Sequence, residues 1–241
     1  MNISWTKEQK IFEKAIYDAS KGLYPTELVL FQDGFEDGMY WPALAGTGVG
    51  WSAVQSAAQA LQGKYSLLMS TRLAGAAPGD LVQAHAQIPT VMPIANADYI
   101  WKGALFIPMQ LLANLGLLRL TLQVRTGTQQ LQAHVDYDRA TTRWGYPNAA
   151  WVFTPFVDTA ANLTIREDTW LSIKWRFNAT LARAIEANIG GIEIDISDMD
   201  IKVGANTEIP TCNLGVQITT AGAAQARAHF DNIELLNAKL W

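Results

Sequence analysis

The acidic run Glu193-Ile-Asp195-Ile-Ser-Asp198 is where residue type and spacing come closest to catalytic chemistry in this chain. Glu193 and Asp195 are two apart, so on a strand they share a face. A nucleophile with an acid/base partner about 5 Å away is what retaining glycoside hydrolysis requires. An Ile/acid alternation is equally what any solvated strand face shows. The histidines, His85, His134 and His229, fall in three separate strand patterns and lack the paired spacing of a zinc site. No nucleophile elbow anchors a Ser/His/Asp arrangement. Gly46-Thr-Gly-Val-Gly50 lacks the Lys-Ser/Thr of a phosphate-binding loop and reads as a flexible loop. Cys212 is the only cysteine, which excludes an internal disulfide and a cysteine-based zinc cage.

Aromatic side chains offer binding chemistry instead. Of the nine tryptophans, half or more belong in the core, and Trp175 is one of these by periodicity. Trp41, Trp51, Trp101, Trp144, Tyr146 and Trp151 lie in or beside expected loops, where flat rings can stack on sugar faces. Trp144 with Tyr146, beside Pro147, is the preferred exposed pair, followed by Trp51 and Trp41; packing is the competing reading for all of them.

The elements that must position these residues are mostly strands. Leu118, Leu120, Leu122 and Val124 alternate with Arg119, Thr121, Gln123 and Arg125, and Leu131, Ala133, Val135 and Tyr137 repeat the pattern after a turn at Thr126-Gly127-Thr128. Leu171 to Phe177 and Ile192 to Ile196 alternate in the same way. Further strands are expected at 28–35, 65–70, 81–87, 99–108, 151–156, 214–219 and 228–235, enough for two stacked sheets. Residues 38–62, rich in Gly, Ala and Ser, read as a long loop with a short strand near Trp51. Ahead of the strands, residues 4–19 read as a helix, with Thr6 and Gln9 at capping-box spacing and Ile11, Phe12, Ala15, Ile16 and Ala19 as its apolar stripe. Such a helix either covers its own sandwich or docks on a neighbouring subunit. The expected division is a helical arm over 1–27 and an all-β, antiparallel two-sheet jelly-roll sandwich over 28–241.

A net charge of −4 and the lack of a Lys/Arg cluster argue against nucleic acid as a partner. The most apolar stretch, 104–118, is broken by Pro108, Gln110 and Asn114, so no membrane span is expected. Nothing in Met1-Asn-Ile-Ser-Trp-Thr-Lys-Glu has the pattern of a secretory signal.

Several segments resemble carbohydrate-binding-module-like and concanavalin A-like (laminin G-like) jelly rolls: Phe31-Gln-Asp-Gly-Phe-Glu-Asp-Gly38, Ala60 to Leu67, Asp168-Thr-Trp-Leu-Ser-Ile-Lys174, Gly191 to Ser197, and His229-Phe-Asp-Asn-Ile-Glu-Leu235. They run in that order over roughly residues 28 to 236, and support a fold better than an activity. The resemblance implies a structural calcium ion at Glu36, Asp37 and Asp231, with turn capping or pairing with Lys64 as the alternative. Glu193, Asp195 and Asp198 resemble the acidic motif of laminarinase-like glycoside hydrolases, although Asp198 stands where that family has Glu.

Three functions follow. The favoured one is a non-enzymatic structural or assembly protein, such as a phage virion decoration or tail component, whose partners are copies of itself or other structural chains. Trp5, Ile11, Phe12, Ile16 and Trp241 would form its interfaces. It would reside in a virion or other extracellular assembly without a signal peptide, after synthesis in the cytoplasm. The second function is a polysaccharide-binding module or lectin-like domain, meeting a surface polysaccharide. The third is a glycoside hydrolase.

Overall fold

The computed structural model describes residues 27–38, 41, 43–89 and 98–238. In chain order its strands are β1 Glu27–Asp33, β2 Ala43–Gly46, β3 Ser52–Ser56, β4 Ser66–Ser70, β5 Leu81–Pro89, β6 Asp98–Phe106, β7 Leu115–Arg125 and β8 Gln129–Asp138. The second half adds β9 Arg143–Pro147, β10 Phe153–Pro155, β11 Leu171–Asn178, β12 Arg183–Ile189, β13 Ile192–Asp195, β14 Lys202–Ala205, β15 Thr211–Thr220 and β16 Arg227–Ala238.

These strands form two antiparallel sheets. The first runs β13-β12-β11-β6-β16-β4-β3, with β1 on the distal half of β16. The second runs β10-β9-β8-β7-β15-β5-β2, with β14 on the proximal half of β8. Consecutive strands β7 and β8 meet through the expected turn, where the Thr126 N–H bonds the Gln129 carbonyl at 2.7 Å and the Thr126 hydroxyl accepts from the Gln129 N–H at 2.9 Å.

The two inner faces make one core. The first sheet supplies rings: Tyr99 and Trp101 from β6, Trp175 and Phe177 from β11 and Phe230 from β16, all buried. Trp101 stands directly opposite Trp175. The second sheet answers with Leu118, Leu120, Leu122 and Val124 from β7, Val135 and Tyr137 from β8, and Leu214, Val216 and Ile218 from β15. Each such side chain contributes about 1.5–3 kcal/mol by leaving water, so the alternating strands are anchored by one face alone. What points the other way is free to serve a function.

In the segment 38–62 the short strand expected near Trp51 is β3, and a second strand, β2, was not expected; the two flank a turn in which Gly48 and Gly50 have positive φ. The Ala-rich β2 lacks β-branched residues, and its strand form comes from edge pairing with β5 rather than from propensity. The expected helix over 4–19 and the interface residues Trp5, Ile11, Phe12, Ile16 and Trp241 lie outside the described residues. Within them, no helix is long and apolar enough to cross a membrane.

Candidate functional site

On the second sheet the outward side chains fall into rows that cross the strands. One row reads His85, Gly215, Thr121, His134 on β5, β15, β7 and β8. Beside it run Gln83, Gln217, Arg119, Asp136 and, on the other side, Gln87, Asn213, Gln123, Gln132, Lys202, the last from β14. Although these side chains point away from the core, Thr121, Gln123, His134 and Asp136 are buried. The face is therefore recessed, and polar at its floor. Gly215 is required there, because a Cβ would stand 2.5 Å from His85 Nδ1 and 3.2 Å from Thr121 Cβ.

Trp151 overhangs this floor with 53% of its surface exposed. Its turn is held by Asn148, whose side chain accepts from the N–H groups of Ala150 at 3.0 Å and Val152 at 3.1 Å, while the Trp151 N–H bonds the Asn148 carbonyl at 2.8 Å. Beneath the indole lie His134, with ring centroids 5.4 Å apart, Arg119, with Cζ 5.4 Å from the ring centre, and Lys202, with Nζ 3.0 Å from it. Cations so placed are attracted to the negative face of the ring. The aromatic platform is thus fixed before any ligand arrives.

The electrostatics of the floor follow from burial. Arg119 grips the fully buried Asp136 carboxylate through Nε and Nη2 at 2.9 and 2.7 Å. This pairing offsets a large desolvation cost. Burial, reinforced by the positive charges of Arg119 and Lys202, pushes the His134 imidazole down to about 3. His134 is accordingly neutral, and its Nδ1 meets the Thr121 hydroxyl at 3.0 Å. Lys202 is also lowered, first by desolvation and then by Arg119.

Many polar atoms of this face have no partner. Among the described residues, the buried side-chain atoms without a hydrogen bond include His134 Nε2, Lys202 Nζ, Arg125 Nε, Arg143 Nε, Thr211 Oγ1 and Asn213 Oδ1, all on outward positions of the second sheet. Buried polar groups are normally satisfied, and leaving one unpaired costs about 1–3 kcal/mol. Those on the outward side of the sheet are placed to meet water or another polar molecule.

The residues singled out from sequence are distributed differently. Trp144 and Tyr146 are not an exposed pair: they are 0% and 8% exposed, because in β9 they alternate with Arg143, Gly145 and Pro147 and point inward. Trp144 packs on Tyr137 and donates its indole N–H to the Leu163 carbonyl at 3.1 Å. Trp41 is likewise buried, against Phe31 and Phe35, with its indole N–H on Asp33 at 2.8 Å. Trp51 is half-buried and lies across Gly46, where any Cβ would collide with it. Trp101 is a core residue inside β6 rather than a loop aromatic. Sequence reasoning missed the face itself, and Trp151 was one loop aromatic among several. The Asn148-Ala-Ala-Trp151 turn and the amide-rich outward positions of β5, β7, β8 and β15 were the available signals.

The acidic motif does not form a carboxylate pair poised for catalysis. Glu193 and Asp195 are exposed on β13, an edge of the first sheet. Asp195 caps the N–H of Ser197 at 2.8 Å, which holds its carboxyl below the usual range, and Asp198 accepts from the Val157 N–H at 3.0 Å. A general acid needs its pKa raised. These aspartates instead secure turns. The three histidines are also apart: His85 and His134 are three strand spacings, about 14 Å, from one another. His229 lies on the other sheet, against Ser66.

The carboxylates implied as calcium ligands do not fit a cation as they stand. Glu36 Oε1 accepts from the N–H groups of Lys64 and Tyr65 at 2.7 and 2.9 Å. Asp231 Oδ2 accepts from Leu61 and Gln62 at 2.8 and 3.1 Å, and its Oδ1 from Asn232 at 2.7 Å. Inward N–H dipoles repel a cation, and no group of three or more His, Cys, Asp or Glu able to hold a metal occurs among the described residues, Asp37 included. Glu36 and Asp231 clamp the 61–65 loop to the strand ends.

The fold is that of the antiparallel jelly-roll sandwich, a class that includes carbohydrate-binding modules and lectins among the solved structures similar to this chain. One is a cellulose induced protein, Cip1, 13% identical with a TM-score of 0.51, over 85% of this chain and 96% of that one. A second is arcelin-5, a lectin-like defense protein from Phaseolus vulgaris, 9% identical, with a TM-score of 0.48 and coverage of 88% and 99%. A third is a carbohydrate-binding module, TmCBM61, solved with β-1,4-galactotriose, 12% identical, with a TM-score of 0.38 and coverage of 84% and 92%. At 13% identity the likeness to Cip1 bears on fold alone. No family model matches the sequence, and no curated protein does.

Two measurements follow from this geometry. First, neutral buried His134 should make the protein less stable in acid: the unfolded imidazole takes up a proton below about pH 6.5, while the folded one does so only near 3. Stability therefore falls as pH drops from about 6.5, by up to about 1.4 kcal/mol per pH unit from this residue. Urea unfolding at pH 7 and pH 5 should show a smaller loss in His134→Gln than in wild type, and equal losses would place His134 in contact with water. Second, thermal melting with and without a calcium chelator should give the same midpoint, since Glu36 and Asp231 are occupied by N–H groups; a drop of several degrees would restore calcium.

Proposed function

We propose that the recessed outer face of the second sheet binds a polysaccharide chain and that the protein acts as a non-catalytic glycan-binding module. The observation that carries this reading is the pair of unpartnered buried polar atoms, His134 Nε2 and Lys202 Nζ, against the half-exposed indole of Trp151. A sugar ring presents hydroxyls around its rim and C–H groups on its faces, and so needs both hydrogen-bonding side chains and a flat apolar surface. Gln83, Gln87, Gln123, Gln132 and Asn213 supply amide donors and acceptors across the sheet, and Trp151 supplies the platform. Five adjacent strands, β5 to β9, give the face a width of about 19 Å, suited to a run of sugar units rather than a single one. The turn-capping roles of Asp195 and Asp198 favour binding over hydrolysis. A virion or other assembly role draws on residues 1–26 and Trp241, outside the described residues, and gains nothing from this face.

Affinity electrophoresis through gels containing neutral and acidic polysaccharides tests the proposal. At least one polymer should retard the protein, and Trp151→Ala should weaken that binding roughly tenfold, about 1.4 kcal/mol, with no loss of fold by circular dichroism. Mobility unchanged by every polymer, or full retardation of the variant, would refute it.

A further inference from the structure

We propose that the polysaccharide is anionic, and that its acidic groups are received beside Trp151 by Lys202 together with His134. This deepens the glycan-binding reading of the same face and rests on it. The chain as a whole is acidic, with a formal charge of −4. The outward rows of the second sheet reverse that balance: Arg119, Arg125, Arg143 and Lys202 face Asp136 and Asp138, with Glu208 reaching in from the loop after β14.

Existing pairings use up most of these charges. Arg119 is committed to Asp136, and Arg125 to Glu208. Asp138 accepts from the N–H and hydroxyl of Thr141, at 2.9 and 2.7 Å. Among the described residues, Arg143 and Lys202 are left without an ion pair; Arg143 donates to the Phe156 carbonyl, and Lys202 lies at Trp151. Its ammonium is shielded from solvent under the indole, 3.0 Å from the ring centre, and has no hydrogen-bond partner among the described residues. Asp136 and Asp200 act on it without a direct bond, so a shielded cation here is only partly compensated by them and by the ring's quadrupole. His134 Nε2, beneath the same indole, is also unpartnered. Nδ1 is engaged by the Thr121 hydroxyl, and in the tautomer in which that hydroxyl donates, Nε2 carries the proton and is a second donor beneath the indole.

A neutral sugar hydroxyl would meet these donors without cancelling the charge. A carboxylate or sulfate cancels it and accepts charge-assisted bonds, which are roughly twice as strong as neutral ones. The arrangement therefore discriminates by charge at one point while the amide rows and Trp151 hold the rest of the chain. Discrimination of this kind should weaken as salt screens it.

The test compares polygalacturonate with the same polymer after carboxyl reduction, and adds dextran sulfate, by titration calorimetry at low and high salt. Wild type should bind polygalacturonate or dextran sulfate at least tenfold more tightly than the carboxyl-reduced polymer, and the stronger of the two names the acidic group. Lys202→Gln should abolish the preference for the acidic polymers, and Lys202→Arg should retain it; thermal melting confirms that both variants fold. Equal affinity for acidic and neutral polymers, or a preference that survives in Lys202→Gln, overturns the charge assignment but leaves the glycan face standing. Failure to bind any of the polymers overturns both.

Discussion

Strict in-and-out alternation along β7, β8 and β15 is the constraint on which the rest depends. Leucine, isoleucine and valine on the inner face bind the second sheet to the aromatic layer of the first. The period of two then forces every intervening residue outward in register. A one-residue slip would bury Arg119, Asp136 and His134 in the core, so the stability of the sandwich fixes the geometry of the polar face. Gly215 completes the arrangement by removing the one side chain that would fill the space between His85 and Thr121.

The electrostatic arrangement builds on that lattice. Asp136, fully buried, is held by two Arg119 nitrogens in a fork that suits a carboxylate. With that pair self-contained, Lys202 arrives from β14 as a surplus charge and lodges under Trp151. The platform is rigid because Asn148 closes its turn through four hydrogen bonds to the 150–152 backbone. Preorganisation of this sort lowers the ordering cost of binding.

How much of this was legible in the sequence depended on the range of the interactions involved. β7, β8 and β11 were readable because local alternation is sufficient to define them. β2, β14 and β9 were not, since their strand form depends on partners far along the chain. Trp144 and Tyr146 show the same limit: their spacing around Gly145 was already an inward alternation, but Pro147 made the segment read as a loop. The polar positions of β7 and β8 were seen only as the alternating partners of an apolar face. That they form a recess became visible only when β15, whose Gly215 lies between β5 and β7, was laid beside them. Glu36 and Asp231, taken in the sequence for calcium ligands, each accept from N–H groups of the 61–65 loop.

The central claim is that the outer face of the second sheet is the binding face, and NMR titration of the labelled protein with trigalacturonate tests it most directly. The account predicts that the largest shifts fall on the Gly215 and Gln123 amides and on the Trp151 indole N–H, which share one face of β7, β15 and the 148–152 turn. Shifts confined to Lys174, Asn188 and Glu193 on the first sheet, or none at saturating ligand, would contradict it.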